Sequence, residues 1–170
     1  CDKLAAFLKR GDLREVSALS QMIESSLNLK KNIVEADECD HGRRQFLNYG
    51  HCLGHALESV SGYALTHGEA VLFGMAFANE MAQACGLMSE STSEYIGELL
   101  APFYGAFDLK SLSFSQILAA MEHDKKRTKS TFPMILLRGP GEPLQVEVSE
   151  GELRDVFQKF LERGLTLVNL

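Results

Sequence analysis

Residues 43–58 have the sequence RRQFLNYGHCLGHALE, in which polar and apolar residues alternate with the period of a helix. At about 100° per residue, one face carries polar side chains within an arc of roughly 80°: Arg44, Asn48, His51, His55 and Glu58. The opposite face is apolar: Phe46, Tyr49, Leu53, Ala56, Leu57 and Val60. The pattern predicts an amphipathic helix over residues 43–60.

The polar face of this predicted helix differs from an ordinary surface helix, which would present mainly Lys and Glu to water. Satisfied, solvated histidines are the ordinary explanation for a single His, whereas clustering with Arg and Asn favours a functional site. Gly50 and Gly54 lie beside the two histidines. Because glycine within a helix costs about 1 kcal/mol relative to alanine, we infer that something large lies close to this backbone.

The flanking segments predict further helices and one β-hairpin. Apolar residues form a helical stripe at spacings of 3, 4 and 4 over residues 16–27, and small residues fill the helical segment 67–86. Small side chains let backbones approach closely, so we place the 67–86 helix in the middle of the bundle. Apolar residues at 132–137 and alternating ones at 144–148, separated by a Gly- and Pro-rich turn, predict the hairpin. Serine caps predict the remaining helices, which start near Ser89 or Ser91, Ser113 and Ser149. The predicted fold class is therefore mainly α, a multi-helix domain with one small β-hairpin that occupies residues 1–170 as a single domain.

Composition narrows the class of protein. The chain has 170 residues, 45% hydrophobic and 24% charged, which is typical of a globular domain. A net charge of -6 without a long basic stripe argues against nucleic-acid binding, and no apolar run approaches the roughly 20 residues of a membrane span. Four widely spaced cysteines without a CxxC pair are typical of free thiols in the cytoplasm. Because the chain begins with Cys1 rather than Met, we expect a piece of a longer protein.

Three histidines are candidate metal ligands. His51 and His55 are separated by four residues, so their side chains meet on one face of a helix, as for a divalent metal. The motif is not HExxH, because Cys52 occupies the position of the metalloprotease base. His67 stands at the start of the next helix, where the positive helix end disfavours imidazolium and leaves the ring able to ligate. It is a third candidate, with an ordinary capping or loop residue as the alternative.

Two groups of cations are candidate anion sites. Residues 123–129, HDKKRTK, lie between the fifth helix and the hairpin and would suit a phosphate or a carboxylate, although a solvated basic loop has the same composition. Lys30 and Lys31 end the first helix, where cations are favourable in any case. The sequence contains no GxGxxG motif for a dinucleotide.

The order and spacing of these residues resemble the C-terminal domain of the 3-dehydroquinate synthase family. The resemblance rests on residues spread over the chain: Lys30, Asp37-Glu38, Arg44, Leu47-Asn48, Gly50-His51, Gly54-His55-Ala56, Glu58, His67-Gly68-Glu69-Ala70-Val71 and Asp124-Lys125-Lys126. It implies a two-domain, cytoplasmic, homodimeric lyase of the shikimate pathway whose N-terminal domain, absent here, binds NAD. It also implies zinc or cobalt as the metal. The implied substrate is a seven-carbon keto-acid sugar phosphate, cyclised to 3-dehydroquinate with loss of phosphate.

The resemblance also implies roles for individual residues. His51 and His67 would ligate the metal together with a glutamate upstream of this chain, and His55 would be a catalytic acid–base group that contacts substrate. This assignment replaces the metal pair His51 and His55 that helical spacing alone would favour. Lys30, also catalytic, and Arg44 would meet the carboxylate and hydroxyl end of the substrate. The phosphate would meet Asn48, His55 and Lys125. Asp40 occupies a position where the family usually has glutamate, so it is given no role.

Three alternatives remain open at this stage. Another sugar-phosphate cyclase, making an inosose or a valiolone, would share most of these motifs, but its substrate lacks the carboxylate that Arg44 would bind. A polyol or iron-type alcohol dehydrogenase shares the architecture without the combination of the Arg44 and Lys125 elements. A helical interaction module would carry the histidine row by chance and bind no metal. Without the NAD domain and the third ligand, we expect the chain by itself to be inactive.

Overall fold

A computed structural model describes residues 15–104, 107–123 and 131–163, which divide into two units at Asn48. The first unit contains helix α1, Val16–Ala36, and a 3-10 helix, Arg43–Asn48. Between residues 15 and 48 no described residue is buried. The apolar stripe predicted for α1 is present but exposed to solvent: Val16, Leu19, Ile23 and Leu27.

The second unit contains five helices and a hairpin among its described residues. The helices are α2 His51–Val60, α3 His67–Ala84, α4 Glu90–Leu100, α5 Phe114–His123 and α6 Glu150–Arg163, with short 3-10 helices at Ala101–Phe103 and Leu109–Ser111. Strands β1, Thr131–Leu137, and β2, Pro143–Ser149, are antiparallel, with Met134 opposite Val146. The predicted class, mainly α with one small hairpin, is confirmed.

Helix α3 lies at the centre of the second unit, as its small residues predict. It contacts α2, α4, α6 and β1. Its core side chains Phe73, Phe77 and Met81 are almost completely buried. The ring of Phe77 contacts Phe157 and Phe160 of α6, with centroids 5.9 and 5.6 Å away. Burial of aromatic rings of this size dominates the stabilisation of a small core.

Glycines allow α2 and α3 to approach each other at backbone distance. A Cβ added to Gly74 would overlap the carbonyl oxygen of Gly50, and one added to Gly54 would lie 3.0 Å from the Cα of Val71. Gly50 has a φ of 79°, a left-handed conformation that glycine adopts without strain. The large object inferred beside Gly50 and Gly54 is therefore helix α3 itself.

The continuous helix predicted over residues 43–60 is wrong. The left-handed backbone at Gly50 separates the 3-10 helix Arg43–Asn48 from α2, and the break coincides with the division between the units. Helical periodicity in the sequence runs through this break because both segments are helical and the polar residues keep a helical spacing along the sequence. Arg44 and Asn48 thus belong to a different element from His51 and His55.

Polar caps determine where two of the later helices begin. The hydroxyl of Ser149 accepts from the backbone N–H of Glu152 at 3.3 Å, and the Glu152 carboxylate accepts from the N–H of Ser149 at 2.8 Å. This is the predicted capping box of α6. Ser89 caps α4 by accepting from the N–H of Thr92. Among the helices of the described ranges, none has the length and apolar character that crossing a bilayer requires.

Candidate metal centre

The α2–α3 connection turns the chain back so that the start of α3 faces α2. Gly62 and Tyr63 both have positive φ, 61° and 64°, which reverses the chain direction after α2. Leu65 is buried and anchors the connection. Thr66 then forms a capping box with Glu69, whose carboxylate accepts from the N–H of Thr66 at 2.9 Å. The cap fixes His67 as the first residue of α3.

Three imidazole rings meet at this turn. The centroids of His51, His55 and His67 lie 5.4 Å apart in every pair. The rings of His51 and His55 are neighbours because these residues are four positions apart on α2. The turn between α2 and α3 places the ring of His67 beside them. His51 is half-buried, whereas the side chains of His55 and His67 are 50% and 54% exposed. The three rings thus form a triangle that is partly exposed to solvent.

Polar neighbours restrict two of these rings. The Nδ1 atom of His51 lies 3.2 Å from the carbonyl oxygen of Tyr49, and Nδ1 of His67 lies 3.3 Å from Oε2 of Glu58. The same Glu58 oxygen is 3.8 Å from Nδ1 of His55, which is too long for a hydrogen bond. Burial lowers the pKa of His51, and the two neighbouring imidazoles act in the same direction. The His51 ring is therefore held neutral at pH 7, the form that can ligate a metal.

The donor set fits a divalent transition metal. Neutral imidazole and carboxylate are the ligands that zinc and cobalt take in proteins. One ligand atom from each of His55, Glu58 and His67 can be chosen so that all three lie within 4.8 Å of one another. Glu58 has no role in the sequence-based assignment, although its spacing of three residues from His55 and seven from His51 placed it on the same face.

Comparison with known proteins identifies the family. The family model described as "3-dehydroquinate synthase C-terminal" matches residues 2–127. The chain belongs to this family. The 3-dehydroquinate synthase of Dehalococcoides mccartyi strain BAV1 is 39% identical over 134 residues, which are 79% of this chain and 37% of that protein. The chain thus spans less than two fifths of that relative's length.

Two solved structures are similar in fold to this chain. A structure of 2-deoxy-scyllo-inosose synthase complexed with carbaglucose-6-phosphate, NAD+ and Co2+ matches with a TM-score of 0.61 and 28% identity, over 71% of this chain and 36% of that one. The 2-epi-5-epi-valiolone synthase of Streptomyces hygroscopicus, with NAD+ and Zn2+ bound, matches with a TM-score of 0.75 and 20% identity, over 95% of this chain and 47% of that one. The second match establishes similarity of fold alone.

The remaining residues predicted from the family resemblance lie in the first unit or outside the described residues. Lys30 is exposed on α1, and Asn48 is exposed at the end of the 3-10 helix. Arg44 is half-buried and donates from Nη1 to the carbonyl of Glu38 at 2.9 Å. Lys125 and the rest of the cation cluster after residue 123 lie outside the described residues.

One carboxylate organises the loop that precedes Arg44. Asp37 accepts from the backbone N–H groups of His41, Gly42 and Arg44, at 3.1, 2.8 and 3.0 Å. These bonds, that from Arg44 first, lower the pKa of Asp37. Asp40 in the same loop has a φ of 57°, a left-handed conformation that Asp adopts more readily than most residues. The loop thus fixes the backbone from which the Arg44 side chain extends.

Proposed function

We propose that this chain is the metal- and substrate-binding part of a 3-dehydroquinate synthase. The full enzyme is an NAD- and metal-dependent carbon–oxygen lyase. It cyclises a seven-carbon keto-acid sugar phosphate to 3-dehydroquinate, with loss of phosphate. The observation that carries the proposal is the meeting of three imidazoles and one carboxylate on a domain of this family. The NAD-binding domain would be the portion of the longer relatives that lies outside this chain.

In this proposal His51 and His67 hold a zinc or cobalt ion. Their Nδ1 atoms face a carbonyl and a carboxylate, respectively, which leaves each Nε2 lone pair for the ion. A bound ion would act as a Lewis acid that makes a substrate hydroxyl easier to deprotonate. The third ligand would be a glutamate of the preceding domain. The solved relative complexed with NAD+ and Co2+ supports the choice of cofactors.

His55 is proposed as the acid–base residue rather than as a ligand. Its Nδ1 lies 3.8 Å from Oε2 of Glu58, so Glu58 does not fix this ring by a hydrogen bond. Half of its side chain is exposed, which leaves room for it to accept a proton from substrate and return it. Histidine is also the side chain that enzymes use most often for general acid–base catalysis.

The anionic groups of the substrate are assigned to cations and amides by family resemblance alone. Lys30, the second proposed catalytic residue, and Arg44 would take the carboxylate and hydroxyl end, since guanidinium groups bind carboxylates in a bidentate manner. Asn48, His55 and Lys125 would take the phosphate. The same resemblance implies that the full-length protein is a homodimer in the cytoplasm.

Another sugar-phosphate cyclase is the second candidate, because a solved 2-deoxy-scyllo-inosose synthase shares 28% identity with this chain. The 3-dehydroquinate synthase of Dehalococcoides mccartyi is closer, at 39%. Arg44 also favours a substrate that carries a carboxylate, which the inosose and valiolone substrates lack. Substrate choice is therefore the property that separates the two candidates.

A chimera tests the proposal directly. The C-terminal part of the Dehalococcoides mccartyi enzyme is replaced by this whole chain and assayed with NAD and zinc on the seven-carbon keto-acid phosphate. We expect equal amounts of inorganic phosphate and 3-dehydroquinate. His51→Ala or His67→Ala should reduce turnover by at least about a hundredfold through loss of the ion. His41→Ala, which changes an exposed histidine of the first unit, is the matched control and should retain activity.

Other outcomes would contradict the proposal. A chimera that cyclises only phosphates without a carboxylate would be an inosose- or valiolone-type cyclase. Accumulation of NADH without phosphate release would indicate a dehydrogenase. A second readout avoids any folding problem of the chimera: the imidazole NMR signals of this chain are followed during zinc addition. Those of His51 and His67 should shift while that of His41 stays fixed, and a shift at His55 without one at His51 would contradict the assignment of the ligands.

A further inference from the structure

We propose that Glu58 is a positioning residue of the metal centre, which fixes the ring of His67 for metal binding. The inference rests on the metal site proposed above and gives a role to a side chain that the family assignment leaves without one. Its Oε2 atom lies 3.3 Å from Nδ1 of His67 and 3.8 Å from Nδ1 of His55. The carboxylate therefore contacts one ring of the triangle closely and a second one at a distance.

The chemistry of the contact determines which nitrogen of His67 can ligate. An ionised carboxylate only accepts hydrogen bonds, so the proton of a neutral His67 ring must sit on Nδ1. Its Nε2 atom then carries the lone pair, and the ring cannot rotate without losing the bond. Carboxylate partners of this kind fix the tautomer of metal-bound histidines and raise their basicity. His51 has a comparable partner in the carbonyl of Tyr49, which no side-chain substitution can remove.

The position of Glu58 is well suited to this task. Its side chain is only 21% exposed, unlike the half-exposed histidines beside it. It follows Leu57, which is completely buried, so α2 holds its backbone rigidly against the core. His67 is fixed independently by the cap at Thr66. Two separately anchored elements thus meet at this one hydrogen bond, which defines the relative orientation of the rings.

Direct ligation by Glu58 is the competing interpretation. Ligand atoms of His55, Glu58 and His67 lie within 4.8 Å of one another, so these three could surround an ion. That arrangement leaves out His51, whose Nδ1 faces a carbonyl and whose ring is the most buried of the three histidines. A positioning role for Glu58 keeps His51 and His67 as the ligand pair.

Cobalt titration of the chain itself separates the two interpretations. Co2+ is added to the unaltered chain, to Glu58→Gln and to Glu58→Ala, and both affinity and the visible absorption at saturation are measured. Gln retains an oxygen that accepts from His67, so its affinity should fall by less than about tenfold. Ala removes the acceptor and should weaken binding by about 10- to 100-fold. Because the ligands are unchanged, all three saturated spectra should coincide.

Each alternative outcome has a distinct meaning. If both variants bind equally weakly and give an altered spectrum, Glu58 is a ligand and the positioning role is wrong. If Glu58→Ala binds cobalt as tightly as the unaltered chain, the carboxylate does not position His67. If the chimera described above, which supplies the third ligand, binds no cobalt, the metal site of the proposed function is itself refuted. The control is Glu98→Gln, which makes the same charge change at an exposed residue of α4. It should leave the cobalt affinity and the spectrum unaltered.

Discussion

The two units of this chain use the same sequence pattern with different results. Both α1 and α2 carry an apolar face at helical spacing, but Leu27 on α1 is 62% exposed while Leu57 on α2 is fully buried. In the first unit the described loop is held by hydrogen bonds to Asp37, whereas the second is built on a core around α3. Periodicity therefore identifies the apolar face of a helix but does not say whether that face is buried.

Leucine-to-alanine substitution in the two helices should give the largest difference. Leu57→Ala removes a fully buried side chain and leaves a cavity, so we expect a loss of about 2–5 kcal/mol in the free energy of unfolding. Leu27→Ala truncates an exposed side chain by the same number of atoms. It should change the free energy of unfolding by less than about 0.5 kcal/mol. Urea unfolding of both variants measures the contrast. Equal losses would mean that the α1 stripe is buried in solution.

Glycine-to-alanine substitution tests the close approach of α2 and α3 with a smaller effect. A methyl group at Gly74 would overlap the Gly50 carbonyl oxygen, so Gly74→Ala should cost about 1–3 kcal/mol or more. Gly97→Ala on α4 is the matched control, because nothing lies within 4 Å of its added Cβ. At that position the better helix propensity of alanine should raise the free energy of unfolding by about 0.5–1 kcal/mol.

Thermal unfolding followed by circular dichroism gives the sign of each change. Opposite signs for the two glycine variants would support the packing of the helices. A neutral Gly74→Ala would show that α2 can move away from α3 at little cost, and the ring triangle would then not be rigid.

Much of this architecture follows from the sequence, and the exceptions have physical causes. The hairpin, the central α3 and the capping box at Ser149 follow from local patterns whose partners lie nearby in the chain. The meeting of His67 with His51 depends on a turn that the sequence does not specify in detail. Hydrophobic periodicity does not reveal the break at Gly50, because a glycine φ of 79° leaves no mark on the pattern of apolar residues.

The stability of the loop between Asp37 and Arg44 should depend on pH, and this is the smallest of the expected effects. The backbone N–H groups of Arg44, His41 and Gly42 hold the pKa of Asp37 below its ordinary value. In the unfolded chain this carboxyl would titrate at its ordinary pKa of 3.8. Since the folded pKa is the lower one, its stabilising contribution is complete above the unfolded value and is lost as the pH falls through the folded value. Above that range, protonation is negligible in both states.

Amide hydrogen exchange at Gly42 and Arg44 measures this contribution locally. In the unaltered chain, protection of these amides should decrease on acidification below the unfolded pKa, because the protonated carboxyl is a weaker acceptor. Asp37→Asn keeps a neutral acceptor oxygen, so its protection should be lower at neutral pH and constant through the acid range. Protection that stays high in the unaltered chain after the carboxyl has titrated would mean that the loop is held by something other than Asp37.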